Sequence, residues 1–173
     1  MKIDIVKVGE LECNCYILDI NENVLVIDPG DDFDKIKNVI GNRNVSGIII
    51  THYHFDHIGA LLDVREYYNT LVYDIKNMDE GEYKIGDFCF DVIYTPGHKE
   101  DCITIYFKED KIMFTGDFIF KDTLGRWDLT GGDIDLMYES IDKIRKYDKD
   151  IVIYPGHGDK TSLGYELMNN IYL

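Results

Sequence analysis

All five histidines of this chain lie in three short motifs whose composition is typical of metal ligands. The first motif is H-x-H-x-D-H, from His52 to His57, and two Pro-Gly-His corners end at His98 and His157. Neutral imidazole is the commonest metal ligand among side chains. Coincidental loop histidines would explain the first motif alone, but they do not explain it together with two further Gly-His corners. The sequence therefore predicts a metal site.

Apolar segments lie between these motifs and predict the elements that position them. Alternating and continuous apolar runs favour strands, and apolar residues at helical spacing favour helices. We predict strands over 1–8, 13–20, 24–27, 45–50, 71–75, 83–85, 88–94, 102–107, 111–115 and 151–154, and helices over 32–40, 60–67, 133–147 and from about 164.

Four chemically active residues each follow directly on one of these strands. Ligand sites gather at strand ends, where loops carry the chemistry and the sheet holds them in place. We therefore expect these four to meet at one sheet edge: His52, His98, Asp117 and His157.

The candidate ligands are too many for one tetrahedral ion and suit two ions that share a bridge. In an extended loop, His52 and His54 point the same way, while Asp56 and His57 lie one turn further on and can face a second ion. The full set is His52, His54, Asp56, His57, His98, Asp117 and His157.

In order and spacing, these motifs resemble the metallo-β-lactamase superfamily, and within it the small glyoxalase II-like hydrolases. The resemblance covers nearly the whole chain. It also includes Asn14-Cys15-Tyr16, Asp28-Pro29-Gly30, Gly125-Arg126, Asp128-Leu129 and Gly131-Gly132-Asp133.

The resemblance implies an α/β fold, a four-layer αββα sandwich with the metal site at one edge between two sheets. It assigns His52, His54 and His98 to a first metal, and Asp56, His57 and His157 to a second, with Asp117 bridging both. Asp56 and Asp117 would also be the catalytic proton carriers.

Two outer residues have alternative interpretations. In relatives, a basic residue at the position of Arg126 binds the substrate, so Arg126 is the candidate substrate contact; the alternative is a surface arginine paired with Asp128. Asp28 either supports a metal ligand or caps the turn before Pro29-Gly30.

The implied activity is hydrolysis of a thioester by a hydroxide that bridges two divalent ions. Zinc is the first choice, and iron and manganese are the alternatives. A thioester suits the site because its thiolate leaving group needs little protonation. The alternative is a persulfide dioxygenase of the same superfamily, with one iron on His52, His98 and Asp117.

The chain departs from full-length glyoxalase II in ways that bear on substrate choice. It ends soon after His157, so we expect a single domain over 1–173 without the C-terminal helical domain that grips glutathione. The segment from Lys99 to Asp101 replaces a small Pro-containing turn, and the connection from Leu71 to Asp87 is short. The sequence therefore does not determine which thiol carries the acyl group of the substrate.

The composition limits the classes of partner that the protein can bind. A net charge of -15 disfavours nucleic acid, which needs a basic surface. No apolar run is long enough to cross a bilayer, and the N-terminus does not resemble a signal peptide. We expect a cytoplasmic protein that acts on a small molecule, a thiol conjugate, without a membrane partner. All four cysteines are expected to be reduced packing residues rather than ligands.

Overall fold

The computed structural model describes residues 1–173. Its helices are α1 (Phe33–Ile40), α2 (Phe55–Ile58), α3 (Leu61–Tyr68), α4 (Ile134–Ile144) and α5 (Leu163–Asn169). Its strands are β1 (Lys2–Val8), β2 (Cys13–Ile20), β3 (Asn23–Ile27), β4 (Asn44–Ile49), β5 (Val72–Tyr73), β6 (Gly81–Ile85), β7 (Phe88–Tyr94), β8 (Ile103–Phe107), β9 (Ile112–Gly116), β10 (Ile119–Phe120), β11 (Thr123–Leu124), β12 (Val152–Pro155) and β13 (Thr161–Ser162).

Two sheets pack face to face, and each is covered by helices on its outer side. The first sheet has the order β1-β2-β3-β4-β5 and the second the order β13-β12-β9-β8-β7-β6, while β10 and β11 form a separate hairpin. Helices α1 and α3 pack on the first sheet, and α4 packs on the second. The predicted four-layer αββα sandwich is confirmed.

Strand β2 shows how the sequence produces these layers. Successive side chains of a strand point to opposite faces. Cys15 and Ile17 belong to the core between the first sheet and its helices, whereas Tyr16 and Leu18 belong to the core between the two sheets. Both faces of the strand are buried, so it appears in the sequence as a nearly continuous apolar run.

Strand direction brings the motif-bearing ends to one edge. Strands β3 and β4 run parallel, and so do β9 and β12. Strand β8 is antiparallel to both β7 and β9, so β7 runs in the same direction as β9. The loops that carry His98, Asp117 and His157 therefore leave the second sheet at the same edge.

The structure adds short elements that the sequence did not predict. Helix α2 has four residues, and strands β10, β11 and β13 have two residues each. These elements are too short to show a periodic pattern of apolar residues in the sequence. Helix α4 ends at Ile144, where the prediction extended to residue 147. No helix is both long and apolar enough to cross a membrane.

The prediction for the cysteines holds at three positions and is wrong at Cys89. Cys13, Cys15 and Cys102 are buried, but Cys89 is exposed. Its neighbours Phe88 and Phe90 are both buried, so the alternation of β7 turns the intervening thiol to solvent.

The central core can be tested at Phe114, which is fully buried between the sheets. Its ring packs edge-on against Tyr16 and Phe107 and stacks on Tyr154. Phe114→Ala should lower the free energy of unfolding by about 3–5 kcal/mol through lost burial and a residual cavity. Urea unfolding with a chelator present measures this without a contribution from metal. Leu71→Ala, at a position 67% exposed, is the control and should change stability by less than about 0.5 kcal/mol.

Candidate metal centre

The first half of the centre is a cluster of three imidazoles. His54 Nδ1 lies 3.1 Å from His52 Nε2 and 2.8 Å from His98 Nε2. His52 and His98 are buried, and His54 is partly exposed at the opening. These three nitrogens could together hold one metal ion.

The second half joins two imidazoles to two carboxylates. His157 Nε2 lies 3.1 Å from Asp56 Oδ2, and His57 Nε2 lies 3.3 Å from Asp117 Oδ1. The other Asp117 oxygen, Oδ2, is 3.6 Å from both His98 Nε2 and His157 Nε2. The Asp117 carboxylate thus lies between the two halves, and all seven predicted ligands are brought together.

Hydrogen bonds outside the centre determine which way the ring nitrogens face. Three Nδ1 atoms each meet an oxygen acceptor: His57 meets Asp28 Oδ2 at 2.9 Å, His98 meets the Arg126 carbonyl at 2.6 Å, and His157 meets the Leu11 carbonyl at 3.0 Å. These acceptors carry no proton, so each Nδ1 is the donor and Nε2 is available to coordinate a metal.

His52 is held in the same way through a relay. Its Nδ1 lies 3.2 Å from Thr51 Oγ1, and that hydroxyl donates to Asp28 Oδ2 at 2.6 Å. The Thr51 amide also donates to Asp28, at 2.8 Å. Asp28 therefore supports ligands in both halves, directly through His57 and indirectly through His52, rather than only capping a turn.

The inward-facing atoms fit a metal and little else. Imidazole nitrogens and carboxylate oxygens converge here, and such atoms repel one another unless a proton or a metal ion lies between them. His57 Nε2 and Asp117 Oδ1 are buried without a hydrogen-bond partner. Imidazole nitrogen and carboxylate oxygen together are the ligands that zinc and neighbouring metals prefer.

The two halves differ in their affinity for protons. Burial, followed by repulsion from His57, His98 and His54, lowers the pKa of His52 well below its usual value. Burial and His98 likewise lower the pKa of His54. Burial alone would also lower the pKa of His57, but the Asp28 and Asp117 carboxylates outweigh it and raise this pKa well above the usual value.

The same opposition sets the protonation of His157. Burial lowers its pKa, but the hydrogen bond that His157 donates to Asp56 and the charge of Asp117 raise it above the usual value. His57 and His157 therefore hold protons in the metal-free protein under conditions in which His52 and His54 are neutral.

Local backbone geometry places the ligands. The single turn α2 begins at Phe55, directly after His54, and turns Asp56 and His57 back toward the second half of the centre. Gly156 allows the strand end of β12 to approach, since a Cβ there would lie 2.2 Å from Asp117 Oδ1. A Pro-Gly-His corner thus supplies both the ligand and the space for its neighbour.

The structure places the Arg126 side chain on the surface. It is 68% exposed, and its Nε and Nη2 each donate to the Asp128 carboxylate at 2.9 Å. The pairing with Asp128 is therefore present, and the residue touches the centre only through its backbone carbonyl. Trp127 packs against Tyr172, with ring centroids 5.9 Å apart.

The opening of the centre has an apolar and acidic rim. A cavity of about 610 Å³ beside Asp56 is lined by Leu11 and Phe55, which are 55% and 75% exposed, and by Glu10 and Asp31. Such a rim accommodates an uncharged acyl chain and repels a carboxylate.

A sandwich of two helix-covered sheets with a His and Asp centre at the strand ends defines a metal-dependent hydrolase superfamily. The chain belongs to the metallo-β-lactamase superfamily, whose family model matches residues 8–77 and 73–157. The resemblance seen in the sequence is confirmed.

Individual relatives agree with this assignment. The chain is 30% identical to a probable metallo-hydrolase of Bacillus subtilis, YqgX, over 206 residues, covering 100% of this chain and 98% of the relative. It is 28% identical over 208 residues to the hydroxyacylglutathione hydrolase GloC of Haemophilus influenzae, covering 100% and 98%.

Solved structures match the fold closely. The crystal structure of the BLEG-1 B3 metallo-β-lactamase superimposes with a TM-score of 0.95 at 27% identity, covering 99% of both chains. A protein crystallised in a di-iron-bound form gives a TM-score of 0.91 at 28% identity, covering 98% of this chain and 100% of that one.

The position of Asp117 between the halves predicts unequal effects of ligand removal. The purified protein should contain about two ions per chain; Asp117→Ala should lose both because it faces both halves, while His54→Ala should lose mainly one. Elemental analysis after reconstitution with zinc measures this. Equal metal content in the wild-type protein and Asp117→Ala would contradict the assignment.

The opposite pKa shifts predict stepwise metal loss on acidification. Protons compete with metal for imidazole, so affinity falls as the pH drops through a raised pKa. The half containing His57 and His157 should empty first, so that metal content falls from about two ions per chain to about one in a first step as the pH is lowered. Metal analysis after dialysis at each pH tests this, and His157→Ala should lack the step. Loss of both ions together would contradict it.

Proposed function

We propose that this protein is a metal-dependent hydrolase that cleaves small thioesters. The observation that carries the proposal is the convergence of five imidazoles and two carboxylates at one edge of the two-sheet sandwich, with the Nδ1 atoms of four rings turned outward. The full-length match to a hydroxyacylglutathione hydrolase supports the choice of a thioester.

The proposed ligands form two sets that share one carboxylate. Two divalent ions, zinc in the first instance, would supply Lewis-acid activation of water and polarisation of the substrate carbonyl when bound. His52, His54 and His98 would hold one ion, Asp56, His57 and His157 the other, and Asp117 would contact both.

The remaining chemistry falls to the chain itself. Asp56 Oδ2 lies beside His157 Nε2 and is placed to take the proton released by the attacking water. In the metal-free protein the second-half carboxylates stay ionised, because the neighbouring imidazoles of His157 and His57 outweigh burial and lower the pKa values of Asp56 and Asp117. A departing thiolate needs little protonation, so the absence of a separate general acid suits a thioester.

We propose a minor role for Arg126 in binding an anionic part of the substrate. Its guanidinium already pairs with Asp128 at the surface, so a substrate group must compete with that carboxylate. Exposed ion pairs of this kind contribute at most about 1 kcal/mol. Arg126→Ala should therefore raise KM by no more than about five-fold, with no loss of metal.

The proposed hydrolysis can be separated from the oxygen-dependent alternative. The protein is loaded separately with zinc and with Fe(II), and each form is assayed for cleavage of S-lactoylglutathione and for sulfite release from glutathione persulfide. We expect thioester cleavage that is unaffected by removing O₂, because the complete second ligand set has no role in a single-iron oxygenase.

Two controls make this assay decisive. Asp117→Ala should abolish cleavage, whereas Lys84→Ala, on the distant edge strand β6, should leave it unchanged. Sulfite formed only with iron and oxygen, with no thioester cleavage under either metal, would replace the hydrolase proposal by the dioxygenase.

A further inference from the structure

A groove beside His157 gathers positive charge in a strongly acidic protein. The groove, of about 750 Å³, is lined by Lys7, Lys121 and Lys160, with Asp159 as its only acidic residue. The chain as a whole has 33 acidic and 18 basic residues. The three lysines therefore make this cavity positively charged, whereas the protein as a whole is negatively charged.

Two of these lysines are free of carboxylate partners. Lys121 and Lys160 form no ion pair, whereas Lys7 makes only a long one, 3.8 Å to Glu12. Lys160 Nζ lies 5.8 Å from the centroid of the Tyr154 ring, which also lines the groove. By contrast, the Arg126 guanidinium is held by Asp128 through two hydrogen bonds.

The groove borders the metal centre. Gly158, the residue after His157, is part of its wall. Phe120, next to Lys121 on the β10–β11 hairpin, contacts the His157 ring with centroids 6.1 Å apart. The two free lysines thus lie on segments that border the second half of the centre.

Apolar side chains complete the groove. Ile3 and Ile5 of the edge strand β1 line it, and Ile5 is 48% exposed. A ligand that combines carboxylate or phosphate groups with an aliphatic or amide backbone matches this mixture of ammonium groups and apolar surface. The acidic rim around Leu11 and Phe55, by contrast, does not suit an anion.

We propose that this lysine groove binds the anionic carrier half of the substrate, a thiol carrier with carboxylate or phosphate groups, while the acyl half lies toward Leu11 and Phe55. This rests on the proposed thioesterase function. Lys121 and Lys160 are the specificity-determining residues, and they act on substrate affinity rather than on metal binding.

The test compares one acyl group on three carriers. S-lactoyl thioesters of glutathione, of coenzyme A and of uncharged N-acetylcysteamine are assayed with the zinc-loaded wild-type protein and with Lys121→Ala/Lys160→Ala. The double variant should raise KM about ten-fold for the better anionic conjugate, as expected for two screened charge contacts. KM for the uncharged conjugate and the metal content should not change.

A charge-matched control is available elsewhere on the surface. Lys84→Ala/Lys146→Ala also removes two lysines without ion pairs, but outside the groove, and should leave all three KM values unchanged.

High salt should raise KM for the anionic conjugate in the wild-type protein and much less in the groove variant. Glutathione preferred over coenzyme A indicates carboxylate recognition, and the reverse indicates phosphate recognition.

The outcomes distinguish this proposal from the proposed function. If the uncharged thioester is cleaved but the groove variant does not change KM for either anionic conjugate, or the control pair changes it equally, the groove proposal fails and the hydrolase stands. If no thioester is cleaved, the hydrolase fails. Calorimetric binding of glutathione and coenzyme A then decides the groove: affinity lost only in the groove variant supports it, and unchanged or absent binding overturns it.

Discussion

Five imidazoles and two carboxylates that face a common centre repel one another unless protons or metal ions lie between them, and much of the structure at this edge of the sandwich holds them in place. The restraint comes from outside the cluster: Asp28, Thr51 and two backbone carbonyls accept the outward hydrogen bonds of the rings. Each hydrogen bond prevents an imidazole ring from rotating its inward-facing nitrogen away from the centre. The resulting electrostatic repulsion is offset when a cation binds.

This arrangement explains why the supporting groups come from so many segments. The acceptors lie in the β1–β2 turn, after β3, after β4 and after β11. No single loop could surround the centre, since a buried loop must satisfy its own backbone groups. Both sheets therefore contribute strand ends, and the close packing of Phe114, Tyr16 and Tyr154 between them fixes the distance across the site.

The histidine ligands could be predicted from the sequence because histidine is rare in this chain, with five residues in all, and each one lies in a short motif that follows a strand. His98 and His157 were visible through their Pro-Gly corners, and the apolar runs before them were long enough to be recognised as strands. The supporting contacts were not predictable: Leu11 and Arg126 act through backbone carbonyls, which no residue type reveals. The direction of the Arg126 side chain depends on Asp128, two residues away, a choice between two surface arrangements of similar energy.

The short elements escaped prediction for a different reason. Helix α2 and the β10–β11 hairpin are stabilised by tertiary contacts rather than by periodic patterning, so the path of the chain around His57 and Phe120 follows from the packed sheets. Cys89 shows the converse. The sequence shows that side chains of β7 alternate between two faces, but it does not show which face is buried in the core.

The hydrogen bond between His157 and the Leu11 carbonyl joins residues 146 positions apart. Chains are synthesised from the N-terminus, and contacts of such wide separation form late in folding. The imidazoles of residues 52, 54 and 98 can assemble before β12 has been made, but the other half cannot close until residue 157 has been added to the chain. Metal binding by the second half would therefore follow the synthesis of β12 and His157.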